Sequence, residues 1–226
     1  MTFTGITEMG KQEMKDALRR AELRKAIAEA DAAEADAVVK HISRLETERH
    51  EEEYLAGDQF LGRFSFVSDV NDGSAVGLAN RLNNWGRRNP GAPITLVLYS
   101  PGGFVTSGLY LFDELRSLKA AGHHLTIVVR GFAASMGAVL LQAADHRVIG
   151  ADAQVMIHEV AAGAIGKISE MEDEAKRLRK MNDRLFEILA ERCSKTARQL
   201  RAMSDRKDAW LSADEAVKIG LADAIG

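Results

Sequence analysis

The stretch Gly131–Gly137 (GFAASMG) constrains the fold of this chain more than any other. Before it, Leu125–Arg130 is apolar and β-branched over the length of a strand, and after it Ala138–Ala144 is rich in helix-forming residues. A serine between a strand and a helix is held rigidly, and the unpaired N–H groups of the helix start favour a developing negative charge. The stretch therefore indicates either a nucleophilic Ser135 or a turn of small residues in which Ser135 caps the helix.

Strands and helices alternate on both sides of this stretch. Apolar runs predict strands at 64–67, 94–99, 125–130, 147–149 and 154–158, with helical patterns of 10 to 15 residues between several of them. This alternation favours βαβ units and a mainly parallel sheet, hence an α/β fold. Sites in such sheets lie beyond the carboxyl ends of the strands, and Ser100–Gly103, Ser135 and His158 all stand at predicted strand ends.

Two further segments predict long helices outside the alternation. Lys11–Glu53 has neither proline nor glycine and is dense in Ala, Glu, Lys and Arg, with a shift of register expected near Asp31–Asp36. Its apolar stripe is thin and rich in alanine, so the helix either packs on a neighbour or is a solvated arm. Ile168–Leu189 has a coiled-coil-like apolar seam and is expected to lie between subunits. The predicted organisation is an arm at residues 1–56 and a domain at residues 57–226.

Composition narrows the possible partners and the compartment. A net charge of −3 gives no reason to expect nucleic acid as the main partner. No apolar run reaches the ~18 residues of a membrane span, and the N-terminus lacks a secretory pattern, so we expect a cytoplasmic protein without a membrane partner. The single cysteine, Cys193, excludes an intramolecular disulfide and has no histidine beside it, which favours a buried structural thiol.

Four motifs in this order and spacing resemble the Clp protease proteolytic subunit (ClpP) family, within the wider crotonase-like fold. The resemblance covers about residues 64–225 and leaves the N-terminal helix outside. It implies a core of repeated ββα units with an inserted oligomerisation helix and an N-terminal helical arm. The motifs that carry it are Ser100–Gly103, Gly131–Gly137, Val155–His158 and Trp210–Ala216 with Gly220–Asp223.

The resemblance implies a serine endopeptidase that cuts proteins through an acyl-enzyme. By position, Ser135 matches the nucleophile and His158 the general base, while the backbone N–H groups of Gly103 and Met136 match the oxyanion hole. The residue types suit these roles, because a serine hydroxyl needs an imidazole to accept its proton. No metal and no cofactor are implied.

The third member of the triad is open at this stage. The family places an aspartate shortly before the aromatic-Leu-Ser-Ala segment that begins at Trp210. An alignment without gaps puts Ser204 there, and a deletion of one residue puts Asp205 there. Because a carboxylate is needed to orient the histidine, the chemistry favours Asp205, with Asp208 second.

The resemblance also implies a homo-oligomeric ring, a polypeptide substrate and an AAA+ unfoldase as a partner. Thr95 and Val97, however, stand where the family has tyrosines that help to dock the unfoldase, and Met203 or Ser204 replaces an arginine of the ring contacts. The sequence therefore leaves open whether the chain docks an unfoldase and whether it assembles into the usual tetradecamer.

Three alternative functions are consistent with the sequence: a Ser-Lys peptidase, an acyl-CoA hydratase or isomerase of the crotonase group, and a scaffold ring without catalytic activity.

Overall fold

A computed structural model describes residues 8–57, 60–163 and 165–226. These residues divide between Gly57 and Asp58 into two units, of which the first contains one helix and the second contains every other element. In chain order the elements are α1 (Glu8–Ala56), β1 (Arg63–Val67), α2 (Asp72–Arg88), β2 (Ile94–Ser100), α3 (Val105–Ala120), β3 (Leu125–Ala134), α4 (Met136–Leu141), β4 (His146–Ile149), β5 (Gln154–Ile157), α5 (Ile168–Ala190), α6 (Ala197–Met203), β6 (Ala209–Ser212), α7 (Ala213–Ile219) and β7 (Ala224–Ile225).

Helix α1 is continuous, without a break at the predicted shift of register. Every side chain from residue 11 to residue 52 is exposed, including large apolar ones such as Leu18, Ile27 and Ile42. Ion pairs four residues apart, Lys25–Glu29 among them, each stabilise such a helix by a few tenths of a kcal/mol. The helix is therefore supported by local interactions along its own length.

The sheet of the second unit is parallel except at one edge. Strands β1, β2, β3, β4 and β7 lie side by side in that order, and β5 pairs with the last part of β3. Strand β6 then pairs with β5 in the antiparallel direction. The carboxyl ends of β2, β3 and β5 consequently meet at one edge, as the sequence predicted for an α/β fold.

Strand β3 changes partner part-way along its length. Its residues 126–129 pair with β4, whereas residues 132–134 pair with β5. Gly131 lies at the change of partner with φ +69°, and a Cβ atom there would lie 2.9 Å from the ring of Tyr99. The strand therefore runs through a stretch that the sequence suggested was a turn, and this glycine is required by both the backbone angle and the close ring.

One hydrophobic core holds the helices against this sheet. Helix α4 is buried along its whole length, and the C-terminal turns of α5 bury side chains that include Phe186 and Leu189. Complete burial of such a side chain contributes about 1.5–3 kcal/mol. The apolar seam of α5 is thus divided: its last part belongs to the core, while Ile168 and Met171 at its start are exposed.

Side-chain caps define the starts of three helices. Helix α2 begins with a capping box between Asn71 and Ser74. Helix α6 is capped by Thr196, while the hydroxyl of the nearby Ser194 donates to the carbonyl of Ile219. Helix α7 begins with a capping box between Ser212 and Glu215.

A buried arginine ties the last elements of the chain to the sheet. Arg147 on β4 is 2% exposed, and its guanidinium donates to both carboxylate oxygens of Asp223, to Gln142 Oε1 and to the carbonyl of Gly220. Burial alone would raise the pKa of Asp223, but these hydrogen bonds and the nearby charge hold it below its usual value. The paired charges fix the position of β7 beside β4.

Candidate active site

Ser135 lies on a sharp turn between β3 and α4. Its backbone has φ 54° and ψ −118°, a conformation that costs about 1–3 kcal/mol for a residue with a side chain. The hydroxyl makes no capping hydrogen bond to the helix, so the capping interpretation does not describe this serine. Its amide donates to the carbonyl of Met156 at 2.9 Å, which fastens the turn to β5.

Two glycines make room for this turn. A Cβ atom on Gly102 would lie 2.6 Å from Ser135 Cβ, and one on Gly137 would lie 3.1 Å from the carbonyl oxygen of Ser100. Ser100 is fully buried and its hydroxyl accepts from the amide of Gly102 at 3.2 Å. The end of β2 and the turn after β3 are therefore packed backbone against backbone, which holds Ser135 rigidly.

His158 follows β5 and reaches Ser135 because of the strand register. Ala134 of β3 pairs with Met156 of β5, so the residues that follow each strand end project at the same edge. His158 Nε2 lies 2.8 Å from Ser135 Oγ, the distance of a normal hydrogen bond. With the proton on Nδ1, the hydroxyl donates to Nε2, which is the arrangement that activates a serine.

The carboxylate beside His158 is that of Asp208. Its Oδ1 lies 3.4 Å from His158 Nδ1, which is ion-pair distance and somewhat beyond the hydrogen-bond range of about 2.7–3.2 Å. The preference for Asp205 is therefore corrected, since within the described residues the contact to His158 comes from Asp208. The cause is β6, which the sequence prediction missed: Ala209 pairs with Ile157 in the antiparallel register, so Asp208 falls opposite His158.

Asp205 lies instead in the loop between α6 and β6. The helix ends with Ser204, which is buried, and the next turn contains Arg206 with φ 54°. Such a turn separates Asp205 from the extended residues that line up with β5. A strand prediction for Ala209–Ser212, with its alternation of buried and exposed positions, would have been the signal that selects Asp208.

The backbone amides predicted for an oxyanion hole are those of Met136 and Gly103. Met136 is the first residue of α4, so its N–H has no intrahelical acceptor. Val70 bonds to the carbonyl of Gly102 and to the amide of Phe104, in a parallel bridge centred on Gly103. The N–H of Gly103 consequently points away from Val70, because successive peptide groups alternate in direction. A Cβ atom on Gly103 would lie 2.3 Å from the Val70 carbonyl oxygen, so only glycine fits here.

A cavity of about 260 Å³ opens next to this pair. Ser135, His158 and Gly103 line one part, and the remainder is largely apolar side chains from α3, α4, β5, the segment after β5 and α5. The apolar residues that line it are Pro101, Val105, Val139, Met156, Ile157, Val160, Ala161, Leu185, Phe186 and Leu189. The cavity thus places an apolar side chain of a ligand within reach of the serine hydroxyl.

The described part of the chain has neither a cluster of side chains that could hold a metal ion nor a reactive cysteine. No cluster of three or more His, Cys, Asp or Glu side chains there is arranged to hold a metal ion. Burial raises the pKa of the Cys193 thiol to about 11, so this cysteine is protonated near neutral pH and a poor nucleophile. Among the described helices, none is both long and apolar enough to cross a bilayer.

Comparison with known protein families identifies the family of this chain. The family model described as Clp protease matches residues 61–226. This chain belongs to the Clp protease family. The match covers all of the second unit from Leu61 onward and begins after α1, and a mixed α/β fold with a mostly parallel sheet is compatible with it. Membership of the Clp protease family indicates a peptidase that acts on polypeptides.

Proposed function

We propose that this Clp protease family member is a serine endopeptidase that uses Ser135, His158 and Asp208 as its triad. The observation that carries the proposal is the 2.8 Å contact between Ser135 Oγ and His158 Nε2 at the mouth of a cavity. The strained backbone of Ser135 supports it, because a strained strand-to-helix turn exposes a nucleophilic hydroxyl in other hydrolases.

In the proposed reaction, Ser135 Oγ attacks the carbonyl carbon of the peptide bond while His158 Nε2 takes the hydroxyl proton. Collapse of the tetrahedral intermediate breaks the C–N bond, and His158 returns the proton to the leaving amine. The acyl-enzyme is then hydrolysed by water, again with His158 as base. The N–H groups of Gly103 and Met136 stabilise the oxyanion in both steps.

Asp208 has a positioning and electrostatic role in this proposal. Its carboxylate next to Nδ1 keeps the imidazole in the tautomer that leaves Nε2 free to accept a proton. It also stabilises the imidazolium that forms during attack. We expect the 3.4 Å distance to shorten to a hydrogen bond when a substrate fills the cavity, because catalytic contacts in unliganded enzymes are often long.

A fluorophosphonate that carries a fluorescent tag tests the proposal directly. The reagent is expected to modify Ser135, with the labelled peptide identified by mass spectrometry. A crotonase-type hydratase or an idle ring would not be labelled there, because neither has an activated serine. A Ser-Lys peptidase would be labelled but would keep its labelling rate after His158→Ala. Absence of label on the native protein would refute the peptidase proposal.

The proposed oligomer gives a second test, on the exposed start of α5. Ile168 and Met171 present apolar surface that we expect another subunit to cover. Replacing both by Lys should lower the molar mass measured by light scattering, together with the peptidase activity. Leu185 is unsuitable for this test because it belongs to the core of its own chain.

Ser169→Lys is the charge control for that experiment, since Ser169 is exposed on the same turn and its replacement adds one of the two positive charges without removing apolar surface. The control should keep the mass of the native protein. A native protein that is already monomeric would contradict the proposal of an assembly through α5.

The first unit gives a third test. Helix α1 contributes no residue to the candidate site and lies outside the family match, so we propose that it is dispensable for the chemistry and serves assembly or partner attachment. A variant that lacks residues 1–57 should fold and should react with the fluorophosphonate at a rate close to that of the full chain. A folded variant that failed to react would show that the first unit organises the site.

A further inference from the structure

One side chain outside the triad is connected to it by the main chain. Asn182 lies on α5, and its Oδ1 accepts a hydrogen bond from the backbone N–H of Val160 at 3.1 Å. Val160 comes two residues after His158, and both residues line the cavity. The contact therefore joins a helix of the core to the segment that follows the general base.

This segment has few other restraints. Strand β5 ends at Ile157, and the pairing with β6 ends at the same residue. Within the described residues 159–163, the backbone makes one hydrogen bond to the rest of the protein, and it runs from the N–H of Val160 to Asn182. The Val160 side chain packs against the core. This packing fixes the distance of Val160 from α5, but it does not fix the orientation of the Val160 peptide plane.

Loss of the acceptor would free the chain on one side of His158. The imidazole is otherwise fixed by the end of β5 and by its contacts with Ser135 and Asp208. Of these contacts, the one to Asp208 is 3.4 Å long and its carboxylate is 56% exposed, so it restrains the ring weakly. A turn of the Val160 peptide would shift His158 relative to Ser135 Oγ, and sub-ångström shifts already slow proton transfer.

We infer that Asn182 is a positioning residue of the peptidase site, which orients His158 and the cavity wall through the N–H of Val160. The inference rests on the proposed function, because it gives Asn182 a role in the reactivity of Ser135. An asparagine is suited to this role since its short side chain presents an acceptor oxygen to the N–H of Val160. Because Val160 and Asn182 are both half-buried, the hydrogen bond between them is stronger than one exposed to water.

The test compares three variants in the full-length protein. Asn182→Leu keeps the branched arrangement of side-chain heavy atoms but removes the acceptor, Asn182→Asp keeps an acceptor oxygen, and Asn84→Leu is the control. Asn84 is an exposed helical asparagine on α2 whose Oδ1 accepts from Arg87 and which does not line the cavity. The measurements are the rate of fluorophosphonate labelling of Ser135, amide hydrogen exchange at Val160 and the melting temperature.

We expect Asn182→Leu to slow labelling on the order of tenfold, because displacement of a catalytic group by a fraction of an ångström has effects of this size. Exchange at Val160 should become faster in the same variant, and the melting temperature should change little. Asn182→Asp should restore both the labelling rate and the protection of Val160. Asn84→Leu should match the native protein.

Three outcomes would overturn the inference. The first is native labelling by Asn182→Leu, which would show that the bond does not position His158. The second is a loss of labelling that follows the melting temperature and is not restored by Asn182→Asp, which is the signature of a merely structural residue. The third is absence of label on the native protein, which also removes the proposed function, whereas the first two leave that function intact.

Discussion

Replacing Ser135 by alanine is expected to abolish peptide hydrolysis while leaving the fold intact. The change removes a hydroxyl that lies at the cavity and makes no capping bond, so no core volume is lost. Loss of a triad member lowers kcat by several orders of magnitude, about 10⁶-fold in well-studied serine proteases. The measurement is hydrolysis of a fluorogenic peptide with an apolar residue before the scissile bond, together with far-ultraviolet circular dichroism.

His158→Ala serves as the partner variant in that experiment. This variant should lose a similar factor in kcat. The double variant should be no less active than either single variant, because both side chains act in one step. Ser169→Ala, on the exposed part of α5, is a serine control that should leave the activity unchanged. Hydrolysis at the native rate by Ser135→Ala would contradict the assignment of the nucleophile.

Asp208→Asn is expected to have the next largest effect. The amide would offer its NH₂ group or a weaker acceptor to His158 Nδ1, which favours the wrong tautomer and destabilises the imidazolium. We expect kcat to fall by a factor on the order of 10³–10⁴, with KM nearly unchanged. Because the side chain is more than half exposed, the melting temperature should hardly change.

Asp205→Asn is the matched control, since it makes the same chemical change three residues away, in the loop after α6. It should keep nearly all of the activity, because the register of β6 places Asp208 and not Asp205 opposite His158. The reverse result, a crippled Asp205→Asn and an active Asp208→Asn, would mean that the loop rearranges when substrate binds. Native activity of both variants would leave a Ser-His pair that works without a carboxylate.

The sequence predicted the parts of this site that depend on local pattern. Ser135 and His158 each follow a β-branched apolar run, and a parallel sheet brings such ends together, so their meeting was predictable from the alternation of elements. Asp208 was not, because its place depends on an antiparallel strand of four residues without a strong apolar pattern. The contact from Asn182 to Val160 joins residues 22 apart, and no local rule predicts such a pair.

The same limit applies to the seam of α5. Heptad spacing cannot distinguish an apolar side chain that faces its own core from one that faces another subunit, and here Leu189 does the former while Met171 is exposed. The burial pattern within the fold decides between them. Prediction of the third triad member and of the assembly face therefore both required tertiary contacts.

The pairing of β6 with β5 also has a consequence for synthesis on the ribosome. The three side chains of the proposed triad are translated in the order Ser135, His158 and Asp208, and the last reaches His158 only through β6. A nascent chain that has not yet extended past α6 has a serine and a histidine but no carboxylate beside them. We expect ribosome-bound chains arrested at this stage to react with fluorophosphonate far more slowly than released chains.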